Sequence, residues 1–250
     1  MSDIRIIQTS DILSVLITLE ENSDNFKRAL KNFNFMIDYA IKEKTDVFII
    51  TGNVLSNPIS DNIKNYFITG IKKLEENNII VIINDNNQDL AENFKFGNIF
   101  VINQPELLRV KTNNLPLQVI VIPSYQENYE QILDSFLEQV DNNLKTILVS
   151  NVCVSQCSLG DEIKIEKERP ESINLPKIKK DKLDYVALGG IMKAQILWDR
   201  PPVSYSGSIF PILSQRIYDD KYFVEFVLTN NKATFSFDNF ISLPEKEFLK

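Results

Sequence analysis

The chain has 250 residues, 44% of them hydrophobic, with 27 Lys+Arg against 34 Asp+Glu, a net charge of −7 and no histidine. That length supports a substantial core, while the acidic balance argues against a non-specific nucleic-acid binder, because neutralising a phosphate backbone needs clustered cations. Without histidine, the usual acid/base near neutral pH and the commonest metal ligand, Ser-His-Asp triads, zinc hydrolase sites and His-rich dimetal sites are excluded.

In chain order, the apolar run Ile4–Thr9 predicts a buried strand that feeds the loop Thr9-Ser10-Asp11. Ser23-Asp24 then opens a helix in which Phe26, Ala29, Leu30, Phe33, Met36, Ile37, Ala40 and Ile41 form one apolar stripe. Val47–Thr51 reads as a second buried strand, closed by Gly52-Asn53. A second amphipathic helix is expected over about Asp61–Asn77, with Ile63, Phe67, Ile71 and Leu74 on one face. Ile79–Ile83 is a third strand, ending in Asn84-Asp85-Asn86-Asn87. Strands that alternate with helices in this way predict βαβ units and a largely parallel sheet.

The second half is richer in strands. Leu107–Val110, Gln118–Pro123, Thr146–Ser150, Asp184–Leu188, Tyr222–Thr229 and Lys232–Phe237 all read as extended, with a helix near Tyr129–Val140. The turn Thr229-Asn230-Asn231-Lys232 predicts that the last two strands form an antiparallel hairpin. The expected architecture is α/β: two packed sheets with helices outside. The charge-dense stretch Ile163–Lys182 reads as a solvated excursion loop, or alternatively as a contact for a partner or DNA.

Two cysteines, Cys153 and Cys157, are too few for a structural zinc site and are expected to be free thiols. The start of the chain shows no basic segment followed by a long apolar run, and no stretch has the length of a membrane span. The expectation is a soluble, cytoplasmic protein.

Each expected strand ends in a polar loop, and ligand sites of α/β sheets lie at the carboxyl ends of strands. Read in order, those loops resemble the SbcD-like nuclease subunit of the SbcCD type, a calcineurin-like metallophosphoesterase. Ile6 through Leu13 looks like the family's D-x-H loop, Phe48 through Leu55 like its G-D loop, and Val81 through Gln88 stands where G-N-H-D belongs. Ile147 through Asn151 takes the place of the strand that ends in histidine. Asp184 through Gln195 is similar to D-Y-V-A-L-G-H-x-H, and Pro202 through Ser208 resembles the following Y-S-G-S stretch. Ile122-Pro123-Ser124-Tyr125 also fits the SbcD-like subgroup. The resemblance runs from about Ile4 to Phe237 and implies one four-layer α/β/β/α domain over residues 1–250. The capping and C-terminal ATPase-binding segments of SbcD-like proteins are then absent or truncated.

In that family the loops hold two divalent metals that activate a hydroxide and clamp the phosphoryl oxygens. Carried over position by position, Asp11 keeps the first carboxylate, Leu13 replaces the first-loop histidine, and Asn53 replaces the metal-bridging aspartate. The third loop aligns with a one-residue ambiguity; in one alignment Asn86 keeps the asparagine, leaving Asn87 in place of histidine and Gln88 in place of aspartate. Asn151, Gly190 and Met192 replace three further histidines. Asn53 and Asn151 are neutral, Gly190 has no side chain, Leu13 is apolar, and the Met192 thioether suits manganese and magnesium poorly.

The resemblance therefore implies a member without catalysis and without a cofactor, serving as a structural or interaction subunit linked to DNA repair or processing. Expected partners are a second copy through about Asp61–Asn77, the region that dimerises in the family, an SbcC-like ATPase, or DNA through a partner or a local patch. One alternative is a divergent phosphodiesterase or DNA exonuclease using a single Mn or Mg held by oxygens of Asp11, Asn53, Asn86 and Asn151, with Asp85 nearby. Another is a phosphate or nucleotide binding module using backbone amides at Gly52-Asn53 and Gly189-Gly190.

Overall fold

In the computed structural model, the structure describes residues 3–12, 19–21, 23–52, 60–84, 94, 97–155, 157–158, 172–178, 180–209, 221–229, 235 and 237–244. The first half alternates strand and helix as β1 (Ile4–Ser10), α1 (Asp24–Lys42), β2 (Val47–Thr51), α2 (Asp61–Glu76), β3 (Ile80–Asn84) and β4 (Ile99–Ile102). It continues as β5 (Glu106–Lys111), β6 (Pro116–Ile122), α3 (Tyr129–Gln139), β7 (Lys145–Ser150), β8 (Cys153–Val154), β9 (Ser172–Ile173) and α4 (Leu175–Ile178). The last elements are β10 (Tyr185–Leu188), β11 (Gln195–Asp199), β12 (Pro202–Tyr205), β13 (Tyr222–Leu228), a 3-10 turn (Phe237–Asn239) and β14 (Phe240–Ser242).

Two six-stranded mixed sheets result. One runs β14-β13-β1-β2-β3-β4 and the other β11-β12-β10-β7-β6-β5. Strands β1 to β4 are mutually parallel, as are β12, β10, β7 and β6. Strict alternation along each strand separates three apolar clusters. Ile4, Ile6, Val47, Ile49, Ile80 and Ile82 of the first sheet meet Val119, Val121, Ile147, Val149, Tyr185 and Ala187 of the second in the layer between the sheets. Ile7, Phe48, Val81 and their neighbours face α1 and α2, whereas Ile120, Leu148 and Val186 face α3 and α4. The order is helices, sheet, sheet, helices.

The helices form where expected, for local reasons. Ser23 accepts a hydrogen bond from the Phe26 amide at 3.1 Å and caps α1, with Asp24 in the first turn and Lys42 in the last. The stripe of α2, Ile63, Phe67, Ile71 and Leu74, is spent on the core, where Phe67 stacks on Phe33 with ring centroids 5.7 Å apart. Its outward positions, Asp61, Asn65, Thr69, Lys72, Lys73 and Glu76, are polar or charged.

On the side away from β1, Tyr222–Val224 of β13 pair antiparallel with β14 (Phe240–Ser242), and the expected hairpin strand Lys232–Phe237 falls largely outside the described residues. Residues 230–234 and 236 lie outside the described residues, Phe235 is not in a strand, and Phe237 opens the 3-10 turn. Strands β4, β8, β9, β11, β12 and β14 and helix α4 were not among the expected elements. The described part of the charge-dense stretch is more than a solvated loop: Ile173 and Ile178 are buried, and Lys180 reaches Asp134 at 3.0 Å and Glu130 at 3.4 Å. Residues 163–171 and 179 of that stretch lie outside the described residues. Among the described residues no helix is long and apolar enough to cross a membrane.

Candidate functional site

The carboxyl ends of the parallel strands of both sheets meet at one edge of the molecule. Ser10, Thr51 and Asn84 form a row across the ends of β1, β2 and β3 and, by alternation, face the second sheet. Opposite them lie Gly189 and Gly190 after β10, Asn151 after β7 and Ser208 after β12; Ser10 and Ser208 form a parallel bridge between the sheets. Deeper in, Gln8 of the first sheet donates to the Leu188 carbonyl of the second at 2.9 Å and accepts from the Tyr185 hydroxyl.

Asp11 is 8% exposed and adopts a left-handed backbone (φ 58°), a conformation that aspartate tolerates better than most residues. Its amide donates to the Thr51 carbonyl at 2.9 Å, which ties the β1 loop to the end of β2. Its carboxylate Oδ2 accepts from the Ser10 hydroxyl at 2.6 Å, and the Ser10 hydroxyl also contacts the Gly207 carbonyl at 3.1 Å. A Cβ on Gly52 would lie 2.7 Å from Asp11 Oδ1, so only glycine allows the carboxylate to lie there.

Two more glycines set the opposite wall. A Cβ on Gly189 would stand 2.5 Å from Thr51 Cβ and 2.6 Å from the Gly52 nitrogen, across the junction of the sheets. Gly190 has φ 84°, and a Cβ there would meet Asn151 Oδ1 at 2.5 Å. The amide of Asn151 therefore fills the space that a side chain at position 190 would require. The Met192 carbonyl accepts from the Ser208 amide at 3.1 Å, which seats the Met192 loop against the Y-S-G-S segment.

The structure thus brings together Asp11, Asn151, Gly190 and Met192. Leu13, Asn53, Asp85, Asn86, Asn87 and Gln88 lie outside the described residues. Sequence reasoning named Gly189 beside Gly190 for its backbone amide but missed the side chains that connect the site: Ser10, Thr51 and Asn84. Asn84 is 1% exposed with neither amide atom hydrogen-bonded. Its place was readable, since it continues the alternation of Ile80 and Ile82.

The described donors at the junction do not by themselves fit two divalent metals. Among the described residues no three Asp, Glu, His or Cys side chains cluster. Asp11 supplies the single described carboxylate at the junction, beside the neutral amide of Asn151. Tyr185 and Tyr205, buried beneath the junction, are poor proton donors there: burial raises both hydroxyls, and they already donate to Gln8 and to the Val152 carbonyl. The thiol of Cys157, against Tyr205, is pushed up to about 11 by burial and then by Cys153, so it is no nucleophile near neutrality. A separate cleft of about 230 Å³ lies beside the start of α3, between Tyr125, Asn128 and Asn174, with Lys177 at its rim paired to Glu130 at 3.4 Å.

With two mixed six-stranded sheets between helical layers, the chain has the calcineurin-like metallophosphoesterase fold. It superimposes on a dimetal phosphatase from Danio rerio over 97% of this chain and 99% of that one, with a TM-score of 0.56 and 9% identity. It superimposes on the TT1561 protein of Thermus thermophilus over 92% of this chain and 99% of that one, with a TM-score of 0.55 and 11% identity. No family model and no curated protein matches the sequence.

Proposed function

We propose that this chain is a catalytically inactive phosphoesterase-fold protein of SbcD-like type that serves as a structural or interaction subunit in DNA repair or processing. The observation that carries the reading is the donor set at the strand ends: among the described residues one carboxylate, Asp11, beside Asn151, Gly190 and Met192, in a chain without histidine. Two-metal hydrolysis needs anionic and imidazole ligands to hold the cations and a proton donor for the leaving group. At those positions the chain supplies one anionic ligand, Asp11, and no imidazole for metal or proton. Its partner is an SbcC-like ATPase or a second copy. A second copy docking on α2 would meet polar residues, because the apolar stripe of that helix packs inward.

The test is hydrolysis of single- and double-stranded DNA and of a model phosphodiester with manganese or magnesium. No turnover is expected. Turnover lost in Asp11→Ala would establish the second reading, a one-metal phosphodiesterase, which the retained Asp11 carboxylate favours.

A further inference from the structure

We infer that the strand-end junction works as a clasp between the two sheets and is closed to divalent cations by the chain's own groups. This rests on the non-catalytic reading and specifies what became of its site. Three close approaches define the clasp. Gly189 of the second sheet abuts Thr51 and Gly52 of the first, so no space for an ion separates the sheets there. The Asn151 amide lies where a side chain on Gly190 would begin, and the Asp11 carboxylate rests on the Gly52 backbone. The same carboxylate accepts from Ser10, whose hydroxyl also reaches Gly207 beyond β12. Asp11 thereby joins the ends of β1, β2 and the β12 loop, the task that a bridging metal performs in a loaded centre.

Electrostatics point the same way. A hard divalent cation needs about six oxygen ligands at about 2.0–2.6 Å, several of them anionic. With Oδ2 engaged by Ser10 and Oδ1 packed against Gly52, Asp11 is the one described carboxylate that would face a cation's two positive charges. Neutral amides do not offset the loss of an ion's hydration shell.

The experiment is manganese binding, read by the paramagnetic resonance of free and bound Mn²⁺ and by thermal unfolding, with the intact chain and its Asp11→Asn variant. At about 1 mM manganese a closed clasp gives no bound ion and no rise in Tm, whereas a true site would raise Tm by several degrees. Asp11→Asn is expected to unfold about 3–6 °C lower with or without manganese. If that variant does not fold, Ser10→Ala, which removes only the hydroxyl, should show the same direction of change. Stoichiometric manganese lost in Asp11→Asn would overturn the clasp, as would an unchanged Tm in both variants. The two readings fail separately. Phosphodiester hydrolysis without manganese binding sinks the non-catalytic reading alone, and manganese binding without hydrolysis sinks the clasp alone.

Discussion

Replacing Gly189 by alanine tests the junction with a single methyl group. Gly189 is fixed by its amide, which donates to the Ser150 carbonyl at 2.9 Å, so the residue cannot retreat without breaking the pairing of β10 with β7. The new Cβ would stand 2.4 Å from Thr51 Oγ1, which can rotate away, and 2.5 Å from Thr51 Cβ and 2.6 Å from the Gly52 nitrogen, which the strand end holds in place. Carbon atoms rest about 3.5–4.0 Å apart, so the sheets would have to part locally by about 1 Å. Overpacking of this kind costs about 1–3 kcal/mol, and immobile neighbours place this case near about 3. For a chain of this size that corresponds to a fall in Tm of about 6–12 °C. Urea unfolding followed by circular dichroism gives the loss directly, with an unchanged m value showing that the unfolded state is not responsible. Thr51→Gly in the same chain should recover part of it, since the Gly52 contact stays. A loss below about 0.5 kcal/mol for Gly189→Ala would refute the argument, because a surface-like response means that the sheet ends do not touch.

Asn84 buries two polar atoms without partners, so the near-isosteric Asn84→Leu should raise stability by about 1 kcal/mol in urea unfolding; a loss of that size would show that the amide has a partner. Cys157, buried and with its thiol pushed up to about 11, should resist maleimide in the folded chain while half-buried Cys153 reacts. The folded thiol keeps a proton that the unfolded chain releases at its ordinary value, so stability is complete below that value and falls as pH rises toward about 11. Cys157→Ala should flatten that slope in denaturation curves taken at alkaline pH.

Much of the fold was legible in the sequence because its signals are local. β1, β2 and β3 are unbroken apolar runs before polar loops, and α1 carries its cap and stripe within its own residues. Strands β4 and β12 have four residues each, too few for a period to declare itself, and β14 has three. The pairing of β13 with β14 brings Tyr222 opposite Ser242, a contact that no local turn signal announces. At the candidate site, the strand-end positions of Asp11, Asn151, Gly190 and Met192 followed from the order of loops. What fills the space between them did not. The approach of Gly189 to Thr51 joins residues in different sheets, and neither residue's own neighbourhood encodes it.

The position of β1 also governs how the polypeptide can acquire this shape. The first strand lies inside its sheet, with β2 on one side and β13 on the other, and Ile4 is in register with Leu228. During synthesis the amino-terminal βαβ units can assemble β1, β2 and β3 early, yet one side of β1 keeps its amides and carbonyls unpaired until Tyr222–Leu228 has left the ribosome. Closure over such sequence separation carries a large loop entropy and makes for slow folding. Throughout that interval the exposed ladder is a template for any other extended chain, which makes the nascent protein a natural client for chaperones.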